Sequence, residues 1–361
     1  MQMTERYLIL SDGTAYKGQA FGSPATTSGT IVFNTSVTGY QEIITDPIYH
    51  NQIIVFTTPT IGAVGVNHES YESILPTAKG VVVREVAEVS TNRQRSLSLD
   101  QFLRVHNIPG ISGIDTRQLV RKLRTHNGLN ASIVDVADEH AFDQLNAIVL
   151  TNQQVSQVAT PRPYANPGMG HNIVVMDFGL KSGILRELAV RDANVTVVPY
   201  TTTADDILNL DPDGIILSSG PGDPRDLGKD ILTTIKTLET RVPLLGIGLG
   251  HELFALANGA TIQRLPVAHQ GMNHPIREII TNQIMYAAQA EEYGVDRDSI
   301  NRDQLLITHI DLIDGSIQGL RHRDYPAFSV QFFPDAAPGP WEATQVFDDF
   351  IELTGIRGEQ H

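Results

Sequence analysis

Residues 242–257 read Val-Pro-Leu-Leu-Gly-Ile-Gly-Leu-Gly-His-Glu-Leu-Phe-Ala-Leu-Ala, and this stretch decides the fold. An apolar run of strand length meets a sharp Gly-x-X-x-Gly turn and then an apolar helix, which is the pattern of a nucleophile elbow. Such a turn holds its central residue in a strained conformation at the strand end, with its side chain towards substrate and backbone N–H groups nearby for an oxyanion. The central residue is Gly248, at a place that calls for a cysteine nucleophile. Glycine has no side chain to attack with, and it relieves strain that only catalysis justifies.

Working outward from the elbow, strand and helix patterns alternate. Asn172-Ile-Val-Val-Met predicts a strand, 183–191 a helix, Val195-Thr-Val-Val-Pro a strand and 204–210 a helix; Gly214-Ile-Ile-Leu then predicts a strand, and 229–240 a helix. This predicts a doubly wound α/β domain. Sites in such folds lie outside the carboxyl ends of the strands. Three glycine-bearing turns fall at such ends: Asp177-Phe-Gly-Leu-Lys, Ser218-Ser-Gly-Pro-Gly-Asp-Pro and the elbow. Together they are expected to form the rim of the site.

Residues 151–170 are polar, rich in Pro and Gly and without periodicity, so they read as a linker between a first domain at 1–150 and a second at 171–356. Before the linker lie short β-branched runs, among them Gly29-Thr-Ile-Val-Phe-Asn, Gln52-Ile-Ile-Val-Phe and Gly80-Val-Val-Val-Arg. One helix is credible there, over 115–124, with Asp115 as its cap. The first domain is expected to be mixed α/β with many strands.

Composition narrows the chemistry. The 361 residues contain no cysteine, which excludes disulfides, thiolate metal sites and cysteine catalysis throughout the chain. With 26 Lys+Arg against 41 Asp+Glu the formal charge is −15, which disfavours a nucleic-acid or anionic-membrane surface. The start Met1-Gln-Met-Thr-Glu-Arg has no apolar signal core and no run approaches membrane-spanning length, so the expectation is a soluble cytoplasmic protein. His269 and His274 lack the spacing to acidic or thiol partners that suggests a metal site, and none is expected. Glu291-Glu292 reads most simply as a solvated pair at a loop or helix start.

Six pieces carry a resemblance over nearly the whole chain. Phe33-Asn-Thr-Ser-Val-Thr-Gly-Tyr-Gln-Glu, Ile44-Thr-Asp-Pro, Gly113-Ile-Asp-Thr-Arg and the 218–224 turn are joined by Gly271-Met-Asn-His-Pro and Pro326-Ala-Phe-Ser-Val-Gln. In these the chain resembles the small subunit of carbamoyl phosphate synthetase. The resemblance implies a second half that is a class I glutamine amidotransferase domain with a Cys–His–Glu triad. It also implies a first half that helps dock a large ATP-using subunit, into which ammonia passes by a tunnel. No cofactor is expected in this chain; ATP and magnesium belong to the large subunit.

Carried over position by position, the elbow cysteine is Gly248. The family's Gln-Gly-His-Pro-Glu becomes Gln331-Phe-Phe-Pro-Asp, which puts Phe333 at the histidine position and Asp335 at the carboxylate position. Neither glycine nor phenylalanine can serve as nucleophile or base. The glutamine after the family's Gly-His is Glu252, and the family's Asn-His-Gly-Phe becomes Ala290, Glu291, Glu292 and Tyr293. Ser36, Lys181, Gly220, Gly222 and Leu249 still match positions at or near the family's glutamine site, with Gly222 supplying an oxyanion N–H. His251 is also a histidine in the family and is expected to be structural.

The expectation is a small chain whose complex makes carbamoyl phosphate from ATP, bicarbonate and free ammonia, for arginine or pyrimidine synthesis, without hydrolysing glutamine itself. Two other readings are a metabolite-sensing module whose carboxylates favour a cationic ligand, and a hydrolase with another nucleophile, at Ser218 or beside Glu252.

Overall fold

The β-branched runs of the first half close on themselves in the computed structural model, which describes residues 4–126, 128–146 and 152–358. The chain divides into two units, 1–151 and 152–361. The expected 150/151 boundary itself lies outside the described residues.

The first unit contains β1 (Glu5–Leu10), β2 (Ala15–Gly22), β3 (Thr27–Asn34), β4 (Gln52–Phe56), β5 (Thr60–Ile61), β6 (Gly80–Val82), β7 (Glu85–Val86), β8 (Pro109–Ser112) and β9 (Asn130–Val134). Seven of them close a barrel in the order β1-β2-β8-β6-β4-β3-β9, with β9 pairing back onto β1, while β5 and β7 form a separate pair. Alternate residues such as Leu8 and Leu10, Ile31 and Phe33, and Ile53 and Val55 fill one core, as the two-residue period of a strand requires. Where one helix was expected there are α1 (Tyr40–Thr45), α2 (Leu99–Val105), α3 (Thr116–Thr125) and α4 (Glu139–Asn146). Helix α3 begins where Asp115 accepts the Gln118 N–H at 3.0 Å, and it buries Leu119, Val120 and Leu123 in the barrel core. The short α1 and α2 carry too few turns for periodicity to show them; α2 is announced only by its Ser98/Gln101 capping box.

The second unit contains α5 (Gln154–Val158), β10 (Tyr164–Asn166), β11 (Asn172–Asp177), α6 (Ser182–Val190), β12 (Asn194–Pro199), α7 (Ala204–Leu208), β13 (Gly214–Leu217), α8 (Lys229–Glu239), β14 (Leu244–Ile247) and α9 (Leu249–Ala257). It continues with β15 (Ile262–Glu278), β16 (Ile284–Val295), β17 (Leu305–Asp311), β18 (Ile317–His322), β19 (Ala327–Val330) and α10 (Gln345–Gly358). All ten strands join in one sheet, ordered β10-β12-β11-β13-β14-β19-β18-β17-β15-β16. The middle run from β12 to β19 is parallel, with every residue of β13 and β14 buried.

One expectation needs correction. Within the expected linker, residues 152–170 are not featureless: α5 buries Val155 in the core, and β10 adds an antiparallel edge strand on β12. A three-residue edge strand with exposed side chains leaves no period-2 signal. Beyond α9, where the sequence reading stopped, β15 to β18 form an antiparallel arm whose longest hairpin is interrupted by register shifts. Bulges break the hydrophobic alternation on which such a reading depends. Among the described residues no helix is long and apolar enough to cross a membrane.

Candidate functional site

Strands β11, β13, β14 and β19 are neighbours, so the turns at their carboxyl ends lie side by side. At the elbow Gly248 has φ 58° and ψ −114°, its N–H donates to Val330 O at 2.9 Å, and α9 starts at the next residue. The flanking glycines are there for space. A Cβ on Gly246 would lie 2.6 Å from Gly250 O, and one on Gly250 would lie 2.3 Å from Leu217 O. At Gly248 the constraint is torsional instead, since a Cβ there would meet Ser219 Cβ at 3.3 Å and Phe333 Cε1 at 3.4 Å. The other turns interlock as closely: a Cβ on Gly220 would strike Phe178 O at 2.1 Å, and one on Gly179 would lie 2.9 Å from Gly220 Cα. Gly222 has φ +94°, a value that glycine adopts freely. Leu249 is buried.

Phe333 is buried facing the elbow and is tied in place by its N–H, which donates to Ala288 O at 2.9 Å. Over its ring, 4.4 Å from the centroid, sits the ammonium of Lys181. Lys181 is fully buried; it donates to Ala337 O at 2.7 Å and lies 3.2 Å from Asp335 Oδ2. The carboxylate at 335 is therefore engaged by a lysine, and the ring that faces the elbow has no titratable atom.

Behind the elbow, Glu252 is buried in the first turn of α9 and accepts the Gln331 amide at 3.0 Å. Burial pushes its carboxyl up to about 8, against the pull of the Gln331 hydrogen bond and helped by the charges of Glu291, Asp223 and Glu292. A folded-state value above the unfolded one confers stability that is complete below the unfolded pKa and is lost as pH rises through about 8. Glu252→Gln, which keeps the acceptor oxygen, is therefore expected to leave the melting temperature unchanged near pH 4. Above that it should stabilise progressively, with a slope of up to about 1.4 kcal/mol per pH unit. Melting curves of both proteins across this range check it; parallel curves would place Glu252 in water.

His251 is wholly buried, with Nδ1 2.9 Å from Ser329 Oγ, and burial lowers it to about 3, so it packs as a neutral ring. Ser218 is inaccessible; its hydroxyl accepts Phe178 N–H and donates to Ser219 O at 2.8 Å. Neither is presented as a nucleophile or base. Ser36 lies in the first unit, buried, with its N–H on Asn34 Oδ1 at 2.8 Å.

Residues 290–293 belong to β16, not to a loop or helix start. Tyr293 lies under the guanidinium of Arg225, Glu292 pairs with Arg264 at 2.9 Å, and Ala290 faces Gln270 across the hairpin. Glu291 is buried with Oε1 2.8 Å from His269 Nδ1, so the solvated-pair expectation fails for it. Burial opposes a charge on His269, but the hydrogen bond to Glu291 and the charges of Glu291, Asp314 and Asp311 outweigh it and raise the ring to about 9. The expectation for the two histidines also changes: the structure brings His269 and His274 together with Asp311, their donor atoms all within 4.8 Å of one another. Asp311 lies on β17, remote in sequence from both, and no spacing could have announced it.

Fold and turn geometry define a protein in which a barrel unit is joined to a class I glutamine amidotransferase-type unit. Residues 8–133 match the family described as "Carbamoyl-phosphate synthase small chain, CPSase domain", and 174–353 match "Glutamine amidotransferase class-I". The "Carbamoyl phosphate synthase small chain" of Streptococcus mutans is 52% identical over 353 residues, 97% of each chain. The "Carbamoyl phosphate synthase pyrimidine-specific small chain" of Lactiplantibacillus plantarum is 51% identical over 349 residues, 97% of this chain and 96% of that one. The Streptococcus pneumoniae small chain is 49% identical over 356 residues, 98% of this chain and 99% of that one. The chain belongs to the carbamoyl phosphate synthase small chain family.

Proposed function

We propose that this chain serves as a carbamoyl phosphate synthase small chain that docks on a large, ATP- and magnesium-using subunit but does not hydrolyse glutamine itself. The observation that carries the second clause is the juxtaposition of Gly248 and Phe333: a side chain at 248 would begin 3.4 Å from the Phe333 ring, so where an elbow nucleophile and its base would meet, a backbone with no side chain faces a hydrocarbon ring. The engagement of Asp335 by Lys181 supports the same reading, because a carboxylate held by an ammonium is not free to orient a base. Nitrogen would then reach the large subunit as free ammonia.

The test is to co-purify the chain with its cognate large subunit and to measure carbamoyl phosphate formation with glutamine and with ammonium. Ammonium should support synthesis. The glutamine-driven rate should be lower by about three orders of magnitude or more, as expected when nucleophile and base are both missing. Glutamine-driven synthesis that requires this chain would overturn the proposal.

A further inference from the structure

The hairpin of β15 and β16 is built so that two histidines share one face. His269 and His274 are an odd number of residues apart, which on a regular strand would put them on opposite faces. Pairing of Gly271 with Gln289 but of His274 with Ala287 inserts one extra residue on β15, and that bulge turns His274 back to the side of His269. The rings stack with centroids 5.2 Å apart and planes 18° apart. Across from them, at the end of β17, is the fully buried carboxylate of Asp311; its Oδ2 lies 3.5 Å from His274 Nδ1 and 4.0 Å from His269 Nδ1.

From this geometry we infer a binding site for one divalent transition-metal ion of the zinc class, held by His269, His274, Asp311 and Glu291. A tetrahedral ion with ligand bonds of about 2.0–2.2 Å sets its donors roughly 3.3–3.5 Å apart. The His274–Asp311 edge already has that length, and the His269–Asp311 edge must shorten by about half an ångström.

The fourth donor is Glu291, whose Oε1 lies 2.8 Å from His269 Nδ1 and whose other oxygen is buried without a hydrogen-bond partner. His274 Nδ1 is likewise buried with no hydrogen bond. Buried polar atoms without a hydrogen bond, on both a histidine of the cluster and the carboxylate beside it, are costly unless something binds them.

The surroundings are those of an oriented metal site. Asp314 Oδ2 lies 3.0 Å from His269 Nε2, the remote nitrogen, so that Nδ1 faces the cluster; a carboxylate behind a ligating imidazole fixes its tautomer in this way. Asp311 is fixed in turn by the Ile313 N–H on Oδ1 at 2.6 Å and by the Gln289 amide on Oδ2 at 3.1 Å. Two imidazoles with two carboxylates select zinc, cobalt or nickel over calcium and magnesium, which take mainly oxygen ligands. The two carboxylates would neutralise the ion. Bound there it would cross-link three strands of the antiparallel arm, whatever role the elbow plays.

The test uses the full-length, tag-free chain. Titration with cobalt(II), followed by visible ligand-field absorption, should saturate at one ion per chain with a tetrahedral spectrum, and zinc should displace it and raise the melting temperature. His274→Gln and Asp311→Asn should each weaken binding at least tenfold. Asp314→Asn leaves every donor in place and so avoids disturbing the core; it should weaken binding about 10–100-fold. No saturable uptake, or uptake unchanged in all three variants, would overturn the inference.

Discussion

Replacing Lys181 by methionine is expected to destabilise the second unit by about 3–5 kcal/mol, the cost of leaving one partner of a buried ion pair uncompensated. The side chains of Lys181 and Asp335 are 0% and 1% exposed, so water cannot take the place of the missing ammonium. Methionine fills a similar volume, which isolates the charge from the packing. The Ala337 carbonyl also loses its donor, and the Phe333 ring loses the cation above it. Asp335→Asn alone should be costly for the mirror reason. The double variant should lose less than the sum, because neither orphaned charge remains. Urea unfolding of the full chain, followed by circular dichroism, measures this. A loss below about 1 kcal/mol would mean that the pair is solvated.

The second large effect separates the elbow's glycines from one another. Gly250→Ala should cost at least about 3 kcal/mol, at the upper end of overpacking penalties, because the new methyl would lie 2.3 Å from the Leu217 carbonyl and 2.7 Å from Leu217 Cβ. The obstacle is mostly backbone in a buried parallel strand, which has nowhere to go. Gly248→Ala meets only contacts of 3.3 Å and beyond, and bears instead the backbone strain of φ +58°, about 1–3 kcal/mol. Both are read from the same unfolding curves. If Gly248→Ala proved the more damaging, the turn would not be an elbow with an open centre.

How far the sequence reached can be seen at particular residues. The parallel core was legible because central strands bury both faces and read as unbroken apolar runs, and its site-bearing turns were legible because glycine is needed where backbones touch. The meeting of Phe333 with the space over Gly248 could be placed only through resemblance, since nothing local joins a turn after β14 to one after β19. The resemblance put Lys181 and Asp335 each at or near the site, but their pairing stayed hidden because it is a contact between residues 154 positions apart. The His269, His274 and Asp311 cluster depends on a one-residue bulge, and a bulge has no compositional signature. Glu291 was misread because acidic pairs are usually solvated; here one member turns inward and its neighbour outward, as strand alternation dictates.

The closure of the first unit's barrel carries a consequence for timing. Strand β1, at residues 5–10, is sealed by β9, at residues 130–134, through pairs such as Leu8 with Ile133. A nascent chain therefore cannot finish this unit until almost all of it has been synthesised, and until then β1 and β3 each present an unpaired edge. Long-range closure of this kind places folding among the slow, millisecond-to-second topologies. A chain whose synthesis ends before β9 would carry six of the seven barrel strands with two open edges and an exposed apolar interior, a form prone to aggregation.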